Sequence, residues 1–160
     1  MMGYTARLIL FAPREENAEA TKGLLADAFA GGRIDAVILP LAGQDERAQT
    51  NYVKDIAPMV QEAGSALLLA DALELVARTG ADGVHLSSPE RAVEAIAAMR
   101  RINRSVGVAG LKARHDAMEV AEWGADYVMF GEPRADQSLP TLSMVEERAS
   151  WWAELFNTPC

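Results

Sequence analysis

Gly80-Ala81-Asp82-Gly83-Val84-His85-Leu86 closes a helical stretch and opens an apolar run within seven residues. The same grammar returns at Gly124-Ala125-Asp126-Tyr127-Val128-Met129-Phe130, and more loosely at Gly32-Arg33-Ile34-Asp35-Ala36-Val37-Ile38. A glycine ends each helix in a left-handed conformation, and an aspartate marks where the next strand begins. A unit that recurs in this way is a strand followed by a helix. Its repetition favours a (β/α) barrel over a doubly wound sheet, which needs a reversal of strand order.

The rest of the chain keeps the alternation. Apolar runs predict strands over residues 7–12, 35–41, 66–69, 82–86, 105–111 and 126–131. Helical periodicity fills the gaps, over residues 18–30, 50–63, 72–79, 89–102, 113–123 and 141–156, with Gly31, Gly64, Gly80 and Gly124 as stops. The strands read as nearly continuous apolar runs, the pattern of parallel strands buried on both faces. The expected class is therefore α/β, a (β/α) TIM-barrel type with about six of eight βα units, in a single domain over residues 1–160. Thr158-Pro159-Cys160 reads as the approach to a seventh strand.

At 160 residues, 50% apolar and 24% charged, the chain is long enough for a real core and too apolar for disorder. Fifteen basic against 23 acidic residues leave a net charge of −8, which argues against nucleic acid or an anionic membrane as a partner. Phosphorylated small molecules remain compatible, because a few local cations can hold them. One cysteine, Cys160, permits no intrachain disulfide and fits a reducing cytoplasm. The opening MMGYTARLILFAP lacks the pattern of a cleaved signal, and no apolar run approaches the ~20 residues of a membrane helix.

Three blocks, residues 80–86, Val106-Gly107-Val108-Ala109 and residues 124–131, resemble in order and spacing the core of the thiamine phosphate synthase family. The resemblance implies a TIM barrel whose working face is the C-terminal end of the strands. It also implies a transferase joining a pyrimidine, delivered as its pyrophosphate, to a thiazole phosphate. In that family Mg²⁺ assists the departure of pyrophosphate, and the protein mainly positions substrates and stabilises charge. Asp71 matches the acid of the family's Asn-Asp pair after the third strand, with Ala70 in place of the Asn, and Glu90 falls near the second metal-binding acid. Arg47, with Gln44, lies in Leu-Ala-Gly-Gln-Asp-Glu-Arg, where the family grips pyrophosphate through Gln-x-Arg-x-Lys. Arg134 lies in the loop after the sixth strand, and Lys112, Arg114 and His115 form a basic cluster at the start of the fifth helix that could hold an anion.

Each position also has a plainer reading. Asp71 with Glu74 makes a helix capping box, and Ser88-Pro89-Glu90 makes an N-cap, an N1 proline and a dipole-matched acid. His85, mid-strand, reads as a hydrogen-bonded structural histidine. The chain also departs from the family. No Lys follows Arg47 at the required spacing, and Ala109 stands for a Ser. Glu132 and Asp136 occupy a loop that in the family reads Thr-x-Thr-Lys, where they would repel phosphate. The alternative is thus a catalytically degenerate member that binds a small phosphate ligand or acts through a protein partner. A full barrel takes eight units and typically ~250 residues, so this one reads as cut short after the sixth helix. Either the chain is a clipped form of a longer protein or the gap is filled by another chain, and a homo-oligomer is expected. Trp151-Trp152 fits that expectation, or else one core and one edge tryptophan.

Overall fold

The computed structural model describes residues 6–43, 45–133 and 138–160. The chain divides after Gly83 into two compact units.

In the first unit β1 (Ile9–Phe11), β2 (Ala36–Leu39) and β3 (Ala66–Ala70) are parallel and lie in sequence order, with Val37 opposite both Leu10 and Leu67. Val37, Ile38, Leu39, Leu67, Leu68 and Leu69 are all buried, so β2 and β3 show no polar alternation. Between the strands run α1 (Ala18–Gly31) and α2 (Glu46–Glu62), and a 3₁₀ turn (Leu73–Leu75) leads into the short α3 (Val76–Thr79). Asn17 caps α1 by accepting from the Glu19 and Ala20 N–H groups. The second helix begins four residues ahead of its predicted start at Thr50, because Asp45 accepts from the Arg47 N–H and caps it. It buries Tyr52, Val53, Ile56, Ala57 and Val60 at helical spacing, and Tyr52 Oη meets Thr21 Oγ1 of α1 at 2.8 Å. Burying such a Val or Ile contributes roughly 1.5–3 kcal/mol over leaving it exposed.

In the second unit β4 (Gly83–Leu86), β5 (Ser105–Val108) and β6 (Tyr127–Val128) again follow sequence order, and β5 and β6 are parallel. The helices are α4 (Ala92–Arg101), α5 (Arg114–Trp123) and α6 (Leu142–Leu155). A 3₁₀ turn (Pro89–Arg91) precedes α4, with Ser88 extended at its N-cap and Pro89 in the first turn, as the sequence predicted. Ser88 makes no capping bond with its side chain. Trp152 is buried and Trp151 half-buried beneath the Arg114 guanidinium, 4.7 Å from the ring centre. The pair is thus one core and one edge tryptophan, covered from within this unit. The last residues turn back: Trp152 Nε1 donates to the Thr158 carbonyl at 2.6 Å, and the Val128 N–H donates to the Pro159 carbonyl at 3.0 Å. The tail therefore occupies a hydrogen-bonding position beside β6.

The Gly-Ala-Asp repeat has a physical cause. Gly80 and Gly124 are left-handed, with φ of 74° and 104°. Each following aspartate then clamps a neighbouring strand in both directions. The Asp82 N–H donates to the Leu67 carbonyl at 2.8 Å, and the Leu67 N–H donates back to Asp82 Oδ2 at 2.8 Å. Asp126 does the same with Val106, at 2.8 and 2.7 Å, and Asp35 with Leu8, at 2.9 and 3.1 Å. One side chain thus supplies the acceptor that a strand lacks at its first residues.

Candidate functional site

The strand ends of each unit open into a groove. In the first unit a groove of about 430 Å³ is bordered by Arg14 after β1, Leu41 after β2, Asp71 and Glu74 after β3, and Glu46 and Gln49 from α2. Asp71 is exposed and holds φ at 54°, a left-handed conformation that aspartate tolerates better than most residues. The N-cap of the following 3₁₀ turn is Ala72, without a side-chain bond, so Asp71 stands one residue outside the turn. Glu46 is paired with Arg78. Arg14 is a cation that the sequence reading missed, and the signal was its place directly after the first strand and Pro13.

In the second unit a groove of about 690 Å³ runs across the ends of β4, β5 and β6, with Ser87, Gly110, Lys112, Phe130, Glu132 and Arg148 among its lining residues. Arg148, on α6, fixes the loop after β5: Nη1 donates to the Leu111 carbonyl at 3.1 Å and Nη2 to the Lys112 carbonyl at 2.9 Å. Gly110 has φ of 70°, and a Cβ there would lie 2.3 Å from the Ser87 carbonyl oxygen, so only glycine lets the two loops approach. Its N–H donates to Glu132 Oε1. Among the described residues the groove thus carries Lys112, Arg148 and the Glu132 carboxylate, with Ser87 and Ser88, on a wall that is otherwise apolar.

Below that groove, His85 is buried and shares a hydrogen bond with Tyr127 through Nδ1 and Oη, 2.7 Å apart, with the rings stacked. This is the structural histidine the sequence predicted. Burial, and secondarily the Asp126 charge, pushes the Tyr127 phenol well above its usual range. Tyr127 reaches β4 by crossing Gly107, its direct partner on β5.

Of the residues singled out in the sequence, Asp71 and Lys112 border grooves, one in each unit. Arg47 is exposed in the first turn of α2, while its neighbours Glu46 and Gln49 border the first groove. Glu90 is exposed in the 3₁₀ turn before α4. Gln44, Arg134 and Asp136 lie outside the described residues. The basic cluster at the start of α5 is partly spent on neighbours: Arg114 pairs with Glu147 at 2.9 Å, and His115 Nε2 lies 3.4 Å from Glu119 Oε1.

A family model described as thiamine monophosphate synthase matches residues 8–160. The chain belongs to the thiamine monophosphate synthase family. Among relatives of this family, the thiamine-phosphate synthase of Rhodospirillum centenum is 33% identical over 156 residues, covering 96% of this chain and 75% of that protein. Those of Hyphomonas neptunium and Erythrobacter litoralis are 34% and 31% identical, and this chain spans 59% and 62% of their lengths. Among solved structures, thiamine phosphate pyrophosphorylase from Pyrococcus furiosus aligns with a TM-score of 0.71 at 19% identity, covering 90% of this chain and 69% of that one. Deoxyribose phosphate aldolase from Aeropyrum pernix aligns with a TM-score of 0.68 at 14% identity, covering 77% of this chain and 63% of that one. The fold is accordingly the (β/α) TIM-barrel type expected from the repeat, with six βα units. In such folds the strand ends that carry both grooves are the working face. Among the described residues no helix is long and apolar enough to cross a membrane.

Proposed function

We propose that this chain acts in thiamine phosphate formation, transferring a pyrimidine from its pyrophosphate to the ring nitrogen of a thiazole phosphate. The observation that carries the proposal is the family match over residues 8–160, combined with Asp71 at the rim of a strand-end groove. The reaction needs little protein chemistry beyond positioning and charge stabilisation. Arg14 and Arg47 on the first unit, and Lys112 and Arg134 on the second, are the cations assigned to substrate phosphates. The setting is the cytoplasm, with phosphorylated small molecules as substrates and a homo-oligomer as the working form.

Mg²⁺ suits the donor set. Among the described residues no cluster of three or more ligating side chains forms, and this ion is commonly held by one or two carboxylates together with substrate phosphates and water. Asp71, exposed and oxygen-bearing, would hold it; Glu90 is a separate proposal on its own unit. Bound there, the ion would neutralise charge developing on the leaving pyrophosphate.

The test is a direct assay with pyrimidine pyrophosphate, thiazole phosphate and Mg²⁺, followed by thiamine phosphate appearance. Asp71→Ala is expected to raise the Mg²⁺ requirement by at least roughly tenfold. A folded Asp71→Ala protein working at the full rate with unchanged Mg²⁺ dependence would remove Asp71 from the site. A second reading, a relative that binds without catalysing, is favoured by Glu132, whose carboxylate stands in the groove at the loop where the family carries Thr-x-Thr-Lys. Absence of product from a demonstrably folded sample would select it.

A further inference from the structure

Arg148 sits on α6, yet both ends of its guanidinium are spent on the loop after β5. Nη1 donates to the Leu111 carbonyl at 3.1 Å and Nη2 to the Lys112 carbonyl at 2.9 Å. These carbonyls belong to the two peptide groups that flank the Lys112 Cα. Peptide groups are planar, so a residue has only two soft backbone dihedrals, and fixing both flanking planes fixes both dihedrals. The direction of the Lys112 Cα–Cβ bond is thereby set. The second plane is also held from its other edge, because the Ala113 N–H donates to Asp116 Oδ2 at 2.9 Å. On the near side Leu111 is buried, and Gly110 lies close against the Ser87 carbonyl. Beside Arg148 on α6, Glu147 pairs with Arg114 and ties the first turn of α5 to the same helix. Lys112 itself is exposed and lines the groove.

A planar fork that donates to two carbonyls at once is what a guanidinium offers and an ammonium does not. With both terminal nitrogens turned to the loop, Arg148 is spent on the backbone and the free ammonium of Lys112 faces the groove. We infer that Arg148 is a positioning residue: it holds the loop after β5 so that Lys112 is presented to a phosphate group in the groove, without itself gripping that group. The inference rests on the assignment of Lys112 to substrate phosphate in the proposed function, and it adds the residue on which that assignment depends. Because the loop is held beforehand, the cost of ordering it falls on folding rather than on binding.

The experiment titrates the full chain with inorganic pyrophosphate, without Mg²⁺, and follows the Gly110 and Lys112 amide signals in ¹⁵N–¹H correlation spectra, with urea midpoints measured alongside. The unaltered chain is expected to show a saturable shift, and Lys112→Met to weaken pyrophosphate about tenfold. Arg148→Ala is expected to weaken it by a similar factor, and Arg148→Lys, which keeps the charge and loses the fork, to do the same. In the Arg148→Ala background Lys112→Met should weaken binding by less than about twofold more, because an unheld Lys112 contributes little. A merely structural Arg148 would lower the urea midpoint and leave the affinity of the folded chain unchanged, and that result would overturn the inference. So would full affinity in Arg148→Lys, which makes charge alone responsible, or additive losses in the double variant, which make Arg148 a partner of the anion in its own right. No saturable shift in the unaltered chain, or unchanged affinity in Lys112→Met, would overturn it even where the Arg148 variants fail to fold. Product formation decides the proposed transfer separately, since these affinities need no turnover.

Discussion

Gly107→Ala tests the way Tyr127 crosses the second unit's sheet. The added Cβ would stand 1.9 Å from Tyr127 Cζ, 2.1 Å from Cε1 and 2.3 Å from Oη. Carbon atoms are comfortable at about 3.5–4.0 Å, so the ring must move by roughly 2 Å. It has no slack for that, because its hydroxyl is tied to His85 at 2.7 Å. Overpacking of this kind costs about 1–3 kcal/mol, and loss of the buried hydrogen bond adds about 0.5–1.5 kcal/mol. We therefore expect Gly107→Ala to lower stability by about 2–4 kcal/mol, read from urea unfolding at constant m value. Tyr127→Phe should not relieve the cost, since the clash with Cζ and Cε1 persists. Tyr127→Ala should relieve it. That change alone costs about 3–5 kcal/mol, but in its background Gly107→Ala becomes neutral or stabilises by about 0.4–1 kcal/mol. Gly107 has no left-handed φ, so alanine meets no backbone strain there. The two substitutions should thus couple by more than about 2 kcal/mol. A cost for Gly107→Ala that is the same in both backgrounds, within about 0.5 kcal/mol, would refute the reasoning.

Three further outcomes are expected. Asp126→Ala leaves the Val106 N–H without its side-chain acceptor and should cost about 1–3 kcal/mol, whereas Asp126→Asn keeps an acceptor oxygen and should cost less; urea midpoints decide. The Leu8 N–H, with smaller help from Arg33 and Arg7 and against partial burial, holds the Asp35 carboxyl below its ordinary value. Its contribution to stability is therefore present above about pH 4 and is lost as pH falls through the depressed folded value, so Asp35→Asn should flatten the acid limb of a stability–pH profile; an unchanged limb would exclude this clamp as a source of acid sensitivity. Arg148→Ala removes the two bonds that pin the loop after β5, with an expected cost of about 1.5–3 kcal/mol and faster amide exchange confined to the residues around Lys112.

The fold was legible because each level of the sequence carried the same message. Apolar runs marked the strands, helical spacing marked the helices, and Gly-Ala-Asp marked the junctions before β4 and β6. The aspartate was readable as a marker of position, but its two-way clamp was not, because the partner residues lie 15 to 27 positions away. Strand lengths were overestimated for a related reason. Leu41 and Leu111 are buried although they lie beyond the last strand residues, so the apolar run continues into the loops that floor the grooves. A run of buried residues reports burial, and only the hydrogen-bond ladder reports a strand. The start of α2 was missed for the opposite reason. Its first turn is polar, and Asp45, the residue that announces it, is an N-cap with no apolar neighbour to draw attention.

The sites were less legible than the fold, and the reason is geometric. A barrel strand end brings together residues that are one whole βα unit apart, so the groove partners Gly110 and Glu132 are separated by 22 positions, and Lys112 and Arg148 by 36. Sequence can name residue types near each strand end: the family resemblance pointed to Asp71, and the basic cluster opening the fifth helix pointed to Lys112. It cannot say which of two adjacent side chains turns inward. Glu46 and Gln49 border the first groove while Arg47 is exposed in the same helical turn, a difference set by ~100° of rotation per residue. Charge sign at a strand end is the more robust signal. It needs no rotamer, and among the described residues it separates a first groove where Glu46, Asp71 and Glu74 outnumber Arg14 from a second where Lys112 and Arg148 outnumber Glu132. The two grooves should therefore differ in affinity for an anion, and titration with inorganic pyrophosphate, followed at residues of each groove, would separate them directly.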